Sequence, residues 1–147
     1  MACSTQPIQS ETSSNKMINQ GSNRMTNLEI IKSTYEGSSS EENGRNLQKH
    51  IADDIKWKEA DGFPLSGTYI GFKEIEQKVF SQLATQWTDY RFIVDGYVAD
   101  GDHVFAYGTY HGVFNKTGKV FSARVAHLWT LKNHKIISFE QFVDSVP

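Results

Sequence analysis

The chain has 147 residues, 38% of them hydrophobic and 22% charged, which predicts one globular domain large enough to bury its own core. Its net charge of -2 at pH 7, with four arginines and no basic cluster, gives no electrostatic sign of nucleic-acid binding. The single cysteine, Cys3, excludes an intramolecular disulfide, and no apolar run suits a signal peptide or a membrane span. We therefore expect a soluble, cytoplasmic protein that binds neither nucleic acid nor membrane.

The first part of the chain differs in composition from the rest. Residues 1–25 are rich in Ser, Thr, Gln and Asn, and their few apolar residues follow no period. Such a segment cannot bury enough apolar surface to offset the entropy of ordering it. We expect a mobile tail over residues 1–25 and a single folded domain over residues 26–147.

Three helices are predicted in the first part of the domain. Thr26 and Glu29 form a capping-box pattern that begins the first helix, and Gly37 ends it. A second capping box at residues 39–42 begins the second helix, and apolar residues at helical spacing from Phe72 onward indicate the third.

The strands are predicted from alternating apolar residues. A short strand at residues 55–59 is followed by a loop at residues 61–71, which contain one proline and three glycines. Strands at residues 90–98 and 103–114 then lead into a closing hairpin at residues 120–144. Helices followed by a run of strands indicate an α+β fold, with the helices on one face of a curved antiparallel sheet.

The closing hairpin has one apolar face that also carries two polar side chains, His127 and Gln141. Odd positions in both arms should face inward, which requires an odd-length loop, such as a three-residue loop with His134 in the left-handed conformation. The inward positions are Phe121, Ala123, Val125, His127, Trp129, Leu131, Ile137, Phe139, Gln141 and Val143. A buried polar group without a partner costs about 1–3 kcal/mol, so His127 and Gln141 must satisfy each other or line a cavity.

Several segments carry a family resemblance when taken in order. They are residues 52–57 (Ala-Asp-Asp-Ile-Lys-Trp), 67–71 (Gly-Thr-Tyr-Ile-Gly), 100–102 (Asp-Gly-Asp) and 135–144. Together they resemble SnoaL-like and ketosteroid-isomerase-like members of the nuclear transport factor 2-like superfamily. The resemblance implies a cone-shaped, curved antiparallel sheet wrapped around three N-terminal helices. It also implies a deep apolar pocket and, often, a homodimer through the sheet.

The same resemblance suggests roles for individual residues. Glu59 stands where ketosteroid isomerases have an Asp general base. His127 stands where they have a protonated acid beside the developing oxyanion, and where SnoaL-like cyclases can carry a His. Gln141 replaces the catalytic Asp of the cyclases and of limonene-epoxide-hydrolase relatives, and an amide does not titrate. Epoxide hydrolysis is set aside because His103 and Phe105 stand where those hydrolases have an Arg and an Asp.

A catalytic interpretation makes Glu59 and His127 the acid-base pair in a dry pocket, with Gln141 orienting the ligand. The alternatives are that Glu59 ends its strand in water or forms an ion pair with His127, and that His127 is a core histidine satisfied by Gln141 or a backbone carbonyl. Most aromatic residues at such spacings are core, and we expect about half of six candidates to touch the pocket and form a wall for a hydrophobic ligand: Trp57, Tyr69, Phe72, Phe105, Tyr107 and Trp129.

No His, Cys or carboxylate spacing suits a metal, and no glycine-rich phosphate loop suits a nucleotide cofactor, so neither is expected. Two functions remain open. The first is a SnoaL-like pocket protein that binds a small hydrophobic or carbonyl-containing molecule, with isomerase-like or cyclase-like acid-base chemistry. The second is a non-catalytic small-molecule-binding or dimerisation module. The sheet face around Arg124, Ala126, Leu128 and Thr130 is the expected homodimer surface.

Overall fold

The computed structural model describes residues 24–144 and consists of three helices and a six-stranded sheet. The helices are α1 (Asn27–Ser33), α2 (Ser40–His50) and α3, which runs continuously through Phe72–Ile75, Glu76–Phe80 and Ser81–Gln86. The strands are β1 (Ile51–Glu59), β2 (Gly67–Ile70), β3 (Trp87–Asp100), β4 (His103–Phe114), β5 (Lys119–Lys132) and β6 (Lys135–Val143). The predicted tail, residues 1–25, lies outside the described residues except for Arg24 and Met25.

Both predicted helix starts are confirmed. The Thr26 hydroxyl accepts a hydrogen bond from the Glu29 amide at 3.1 Å, and the Glu29 carboxylate accepts one from the Thr26 amide at 2.8 Å. The Ser39 hydroxyl accepts from the Glu42 amide at 3.1 Å at the start of α2. The middle segment of α3, Glu76–Phe80, is a π-helical turn. Such a turn contains one residue more than an α-helical turn.

The sheet has the strand order β2-β1-β6-β5-β4-β3, and it is open because β2 and β3 are its edges. The α+β class and the packing of three helices on a curved sheet are confirmed. The prediction of a purely antiparallel sheet is wrong at one place, because β6 returns beside β1 in the same direction, with Trp57 paired to Phe139. Strand β2 lies in the segment that was predicted to be a loop, and it pairs with β1.

The core lies between the helices and the inner face of the sheet, which is the face on which the helices pack. From the helices it contains Ile30, Ile31, Leu47, Ile75 and Val79. From the sheet it contains Ile51, Ile55, Trp57, Val104, Trp129, Leu131, Ile136 and Phe139. Burial of each large aliphatic side chain contributes about 1.5–3 kcal/mol, so this contact holds the helices to the sheet.

The turn between β5 and β6 is shorter than predicted. Lys132 pairs with Lys135, which leaves the two-residue loop Asn133–His134. Asn133 and His134 have φ values of 51° and 65°, as a type I′ turn requires. The left-handed conformation of His134 is confirmed, whereas the odd-length loop is wrong.

A β-bulge restores the inward direction of the odd positions in β6. Leu131 pairs with Ile136 but Thr130 pairs with Ser138, so Ile137 is an extra residue without a partner. Ile136 is therefore buried, and Ile137, which was predicted to face inward, is 36% exposed. Beyond the bulge the predicted alternation holds.

Between residues 24 and 144, no helix combines the length and the apolar character that a membrane crossing needs. Cytoplasmic localisation stays a prediction from the sequence.

Gly108 permits a close backbone approach between the paired strands β3 and β4 at a bulge, where Asp95 is the extra residue. A Cβ atom on Gly108 would lie 1.9 Å from the backbone oxygen of Ile93. We expect Gly108→Ala to lower the free energy of unfolding by about 3 kcal/mol or more, because the backbone must move to relieve the overlap. Urea denaturation would measure the loss.

Gly44→Ala in α2 is the matched control, because a Cβ atom there meets nothing within 4 Å. Alanine is the better helix former, so we expect this variant to gain about 0.8 kcal/mol. Equal urea midpoints for the two variants would contradict the close backbone approach at Gly108.

Candidate functional site

A cavity of about 490 Å³ lies between the helices and the inner face of the sheet. Nine of the nineteen residues in its wall are aromatic: Tyr35, Trp57, Phe80, Trp87, Tyr90, Phe92, Tyr110, Trp129 and Phe139. Three neutral polar residues, at the end of α1 and at the start of α2, also line the cavity: Thr34, Ser40 and Asn43. The wall also contains Glu59 and His127 and no Lys or Arg, so Glu59 has no cationic partner there.

Glu59 is the last residue of β1, and the alternation of Ile55 and Trp57 directs it to the inner face. Its side chain is only 3% exposed, and the Trp57 indole N–H donates to its carboxylate at 2.7 Å. Burial raises the pKa of Glu59 to about 7, and the Trp57 hydrogen bond opposes part of this increase. The alternative that Glu59 ends its strand in water is therefore wrong, and no ion pair joins it to His127.

His127 is buried in the same wall, and both of its ring nitrogens are occupied. Nδ1 lies 2.6 Å from the hydroxyl oxygen of Tyr35, and Nε2 lies 2.5 Å from that of Tyr110. Burial lowers the pKa of His127 to about 3, so the imidazole is neutral. The partners of His127 are thus two tyrosines, and neither Gln141 nor a backbone carbonyl is among them.

Gln141 pairs with His127 across β5 and β6, as the alternation predicts, but it contacts a different group. Its amide nitrogen donates to the Tyr110 hydroxyl at 2.8 Å, and its amide oxygen accepts from the Ala60 backbone N–H at 3.0 Å. Gln141 is not part of the cavity wall. It links Tyr110 to the end of β1.

Two of the six aromatic residues predicted for the wall, Trp57 and Trp129, line the cavity. Tyr69 and Phe72 pack against the core but outside the cavity wall. Tyr69 donates instead to the Leu65 carbonyl at 2.9 Å.

Phe105 and Tyr107 lie on the outer face of the sheet, 38% and 39% exposed, so their predicted place in the wall is corrected. The reason is strand register: Tyr107 pairs with Ala126, an even position of β5 that faces outward. In β4 the inward residues are therefore even-numbered, and they include Tyr110.

Sequence reasoning missed Tyr35 and Tyr110, which complete the polar part of the site. Tyr35 follows α1, where helical spacing marks it only as a core residue. Tyr110 pairs with the inward Ala123, so the register of β4 and β5 would have located it. Burial raises the pKa of both phenols well above the usual value of 10, so they are neutral hydrogen-bond donors.

Within residues 24–144, no three His, Cys, Asp or Glu side chains form a cluster suited to a metal ion.

Comparison with known proteins agrees with this architecture. The sequence matches the model of the SnoaL-like domain over residues 34–139. The chain therefore belongs to the SnoaL-like family. A solved NTF2-like protein from Burkholderia thailandensis E264 is 38% identical, with a TM-score of 0.78, and the match covers 83% of this chain and 93% of that one. The resemblance found in the sequence is confirmed.

Two further solved structures are similar to this SnoaL-like chain. A putative SnoaL-like polyketide cyclase from Mesorhizobium loti is 25% identical, with a TM-score of 0.66, covering 80% of this chain and 99% of that one. A protein with a ketosteroid isomerase-like fold from Catenulispora acidiphila, in complex with trimethylamine, is 19% identical, with a TM-score of 0.62. It covers 80% of this chain and 86% of that one, and it shows likeness of fold alone. No curated protein matches the sequence.

The raised pKa of Glu59 predicts a pH-dependent loss of stability. Folding raises this pKa from 4.5 to about 7, so the folded state holds the proton more tightly and stability falls as pH rises through that window. At ~1.4 kcal/mol per pKa unit, wild type should lose about 3 kcal/mol relative to Glu59→Gln between about pH 4 and about pH 8. Urea denaturation across this range would measure the difference.

The difference between the two proteins is the informative quantity, because His127 acts in the opposite sense. Its pKa falls from 6.5 to about 3 on folding, so its contribution is lost as pH decreases. The exposed Glu76→Gln is the control, and it should follow wild type at every pH. Parallel pH profiles for Glu59→Gln and wild type would contradict a buried, destabilised carboxylate.

Proposed function

We propose that the cavity binds a small, largely hydrophobic molecule with a carbonyl group and that Glu59 transfers a proton on it, as in isomerases and cyclases. The observation that carries the proposal is a carboxylate with a pKa of about 7, buried in an aromatic cavity that contains no cation. A base with a pKa near the working pH is half ionised there and can both take up and return a proton. The cavity volume of about 490 Å³ suits a small organic molecule.

The reaction also needs a hydrogen-bond donor for the carbonyl oxygen, on which negative charge develops. Tyr35 and Tyr110 line the same cavity as Glu59 and hold neutral phenol groups. Neutral His127 bonds both phenols, so in this proposal it acts through them. A preorganised donor in a dry site stabilises an oxyanion more than water does.

The proposed step conserves atoms and charge. The Glu59 carboxylate removes a proton from the carbon next to the carbonyl, and the electron pair of the C–H bond forms an enolate. A phenol O–H donates a hydrogen bond to the enolate oxygen. Protonated Glu59 then returns its proton to the same carbon or to a conjugated one, which regenerates the carboxylate.

The names of two solved relatives agree with this class of chemistry, namely the putative polyketide cyclase and the protein with the ketosteroid isomerase-like fold. Fold alone does not determine activity, and the residues in the cavity carry the argument. The alternative is a non-catalytic module that binds small molecules or dimerises. An open cavity that contains both Glu59 and His127 favours the catalytic proposal.

Replacement of Glu59 tests the proposal directly. Proton abstraction can be followed by mass spectrometry as deuterium exchange next to the carbonyl in a panel of cyclic and aryl ketones. We expect Glu59→Gln to lower the exchange rate by about 100-fold or more, because an amide accepts no proton at neutral pH. Ligand affinity should change little, because glutamine keeps the size of the side chain and can still accept from Trp57.

Glu76→Gln, an exposed change in α3, is the matched control and should exchange deuterium at the wild-type rate. Exchange by Glu59→Gln at the wild-type rate would remove Glu59 from the mechanism. Ligand binding without exchange in wild type would favour the non-catalytic alternative.

We also propose that the outer face of the sheet forms a homodimer. Exposed apolar residues lie together there, since Phe105 pairs with Val98 and Tyr107 lies in one row with Ala126 and Phe142. Contiguous exposed apolar surface of this kind is typical of protein interfaces.

Changes at this face should separate the protomers. We expect wild type to have twice the chain mass by light scattering, and Phe105→Lys combined with Phe142→Lys to have the mass of one chain, because a buried unpaired charge is costly. Ile70→Lys, an exposed change in β2, should leave the mass of wild type unchanged. A monomeric wild type would contradict the dimer.

A further inference from the structure

A chain of hydrogen bonds runs through Tyr35, His127 and Tyr110, and the group at each of its two ends is an N–H donor. The Trp129 indole N–H donates to the Tyr35 hydroxyl at 2.8 Å, and the indole has no acceptor. At the other end, the Ala60 backbone N–H fixes the orientation of the Gln141 amide, because only the amide oxygen can accept from it. The Gln141 nitrogen is thereby turned to Tyr110 as a donor. Neither the Trp129 indole nor the Gln141 nitrogen can therefore accept a hydrogen bond from a phenol O–H.

The three groups between these ends carry one proton too many. Tyr35, neutral His127 and Tyr110 have three N–H or O–H protons, but only two hydrogen bonds join them. If Tyr35 donates to Nδ1, then Nε2–H donates to Tyr110, and the Tyr110 proton has no acceptor among them. If Tyr110 donates to Nε2, then Nδ1–H donates to Tyr35, and the Tyr35 proton is left over.

Tyr35 and Tyr110 both line the cavity, and their side-chain hydrogen bonds within 3.5 Å offer neither hydroxyl an acceptor other than His127. The remaining proton therefore faces the cavity, where for Tyr110 the Tyr90 hydroxyl in the same wall is the neighbouring polar group that a bound acceptor would replace. We propose that the tautomer of His127 selects which phenol, Tyr35 or Tyr110, donates its O–H to an acceptor atom of the bound molecule. This inference rests on the proposed function in one respect, that the cavity binds a molecule with such an acceptor.

The two arrangements satisfy the same number of groups and differ in where the donor lies. One donor follows α1 and the other belongs to β4, so the site can meet an acceptor at either of two positions without moving its backbone. The ligand class that fits is a ketone, enolate or quinone oxygen, which accepts hydrogen bonds and donates none. A hydroxyl group that donates would compete with the phenol proton.

The state of His127 can be measured without a ligand by nitrogen NMR of the imidazole in the full chain. We expect a neutral ring whose two nitrogens both give shifts between the protonated and unprotonated values, because the tautomers exchange. His127→Gln assigns the signals. A cationic ring, or one fixed tautomer in wild type, would overturn the proposal, whether or not any molecule binds.

The second measurement uses two probes of nearly the same shape, acetophenone and α-methylstyrene, in which a C=CH₂ group replaces C=O. One neutral hydrogen bond should make wild type prefer the ketone by roughly fivefold. Tyr35→Phe and Tyr110→Phe should each keep most of this preference, because the other phenol can donate. The double variant should lose it. Complete loss in one single variant, with no loss in the other, would overturn the selection between two donors.

The tautomer of His127 in the two single variants is a further measurement. It would not change if Tyr35 and Tyr110 served only to pack the core. With acetophenone bound, Tyr35→Phe should hold His127 as the Nε2–H tautomer, and Tyr110→Phe should hold it as the Nδ1–H tautomer. The same tautomer in both would contradict the proposal. Tyr107→Phe, on the outer face, is the control and should match wild type.

This outcome is separable from that of the proposed function. Deuterium exchange dependent on Glu59 tests the chemistry, whereas ketone preference and tautomer can hold in a protein that catalyses nothing. If wild type showed no deuterium exchange but kept the selection between the two phenols, the chemistry proposed for Glu59 would be refuted and the role proposed for the His127 tautomer would be supported.

Discussion

The neutral imidazole of His127, held between two phenols, is the interaction on which the site depends. It ties β5 to the segment after α1 through Tyr35 and to β4 through Tyr110. Gln141 then extends the connection to the end of β1. Burial lowers the pKa of His127, so the ring carries one proton, donates to one phenol and accepts from the other.

Burial acts in opposite directions on the two titratable groups of the cavity. It raises the pKa of Glu59 and lowers that of His127, because both lose water and neither gains an opposite charge. Each group thus favours its neutral form, and each costs stability at a pH where water would ionise it. Such a cost is typical of functional sites, in agreement with the role proposed above for Glu59.

The sequence predicted whatever follows from local alternation and capping. The helix starts, the inward face of β5 and the inward direction of Glu59 all depend on neighbouring residues. The failures arise where pairing over long distances decides. Ile137 was misassigned because a bulge shifts the register of β6. Phe105 was misassigned because the inward residues are even-numbered in β4 but odd-numbered in β5. The parallel pairing of β6 with β1 likewise depends on the whole topology.

The π-helical turn at Glu76–Phe80 lies in the part of the cavity wall that α3 forms. Val79 and Phe80 lie in this turn, and Leu83 and Ala84 follow it in the same wall. A π-helical turn holds one residue more than an α-helical turn, so loss of one residue here would leave a regular α-helical turn and keep the direction of the side chains that follow it nearly unchanged. The hydrogen-bonded helix would persist. A one-residue deletion within the turn would therefore alter the wall at Val79 and Phe80 and leave Leu83 and Ala84 in place.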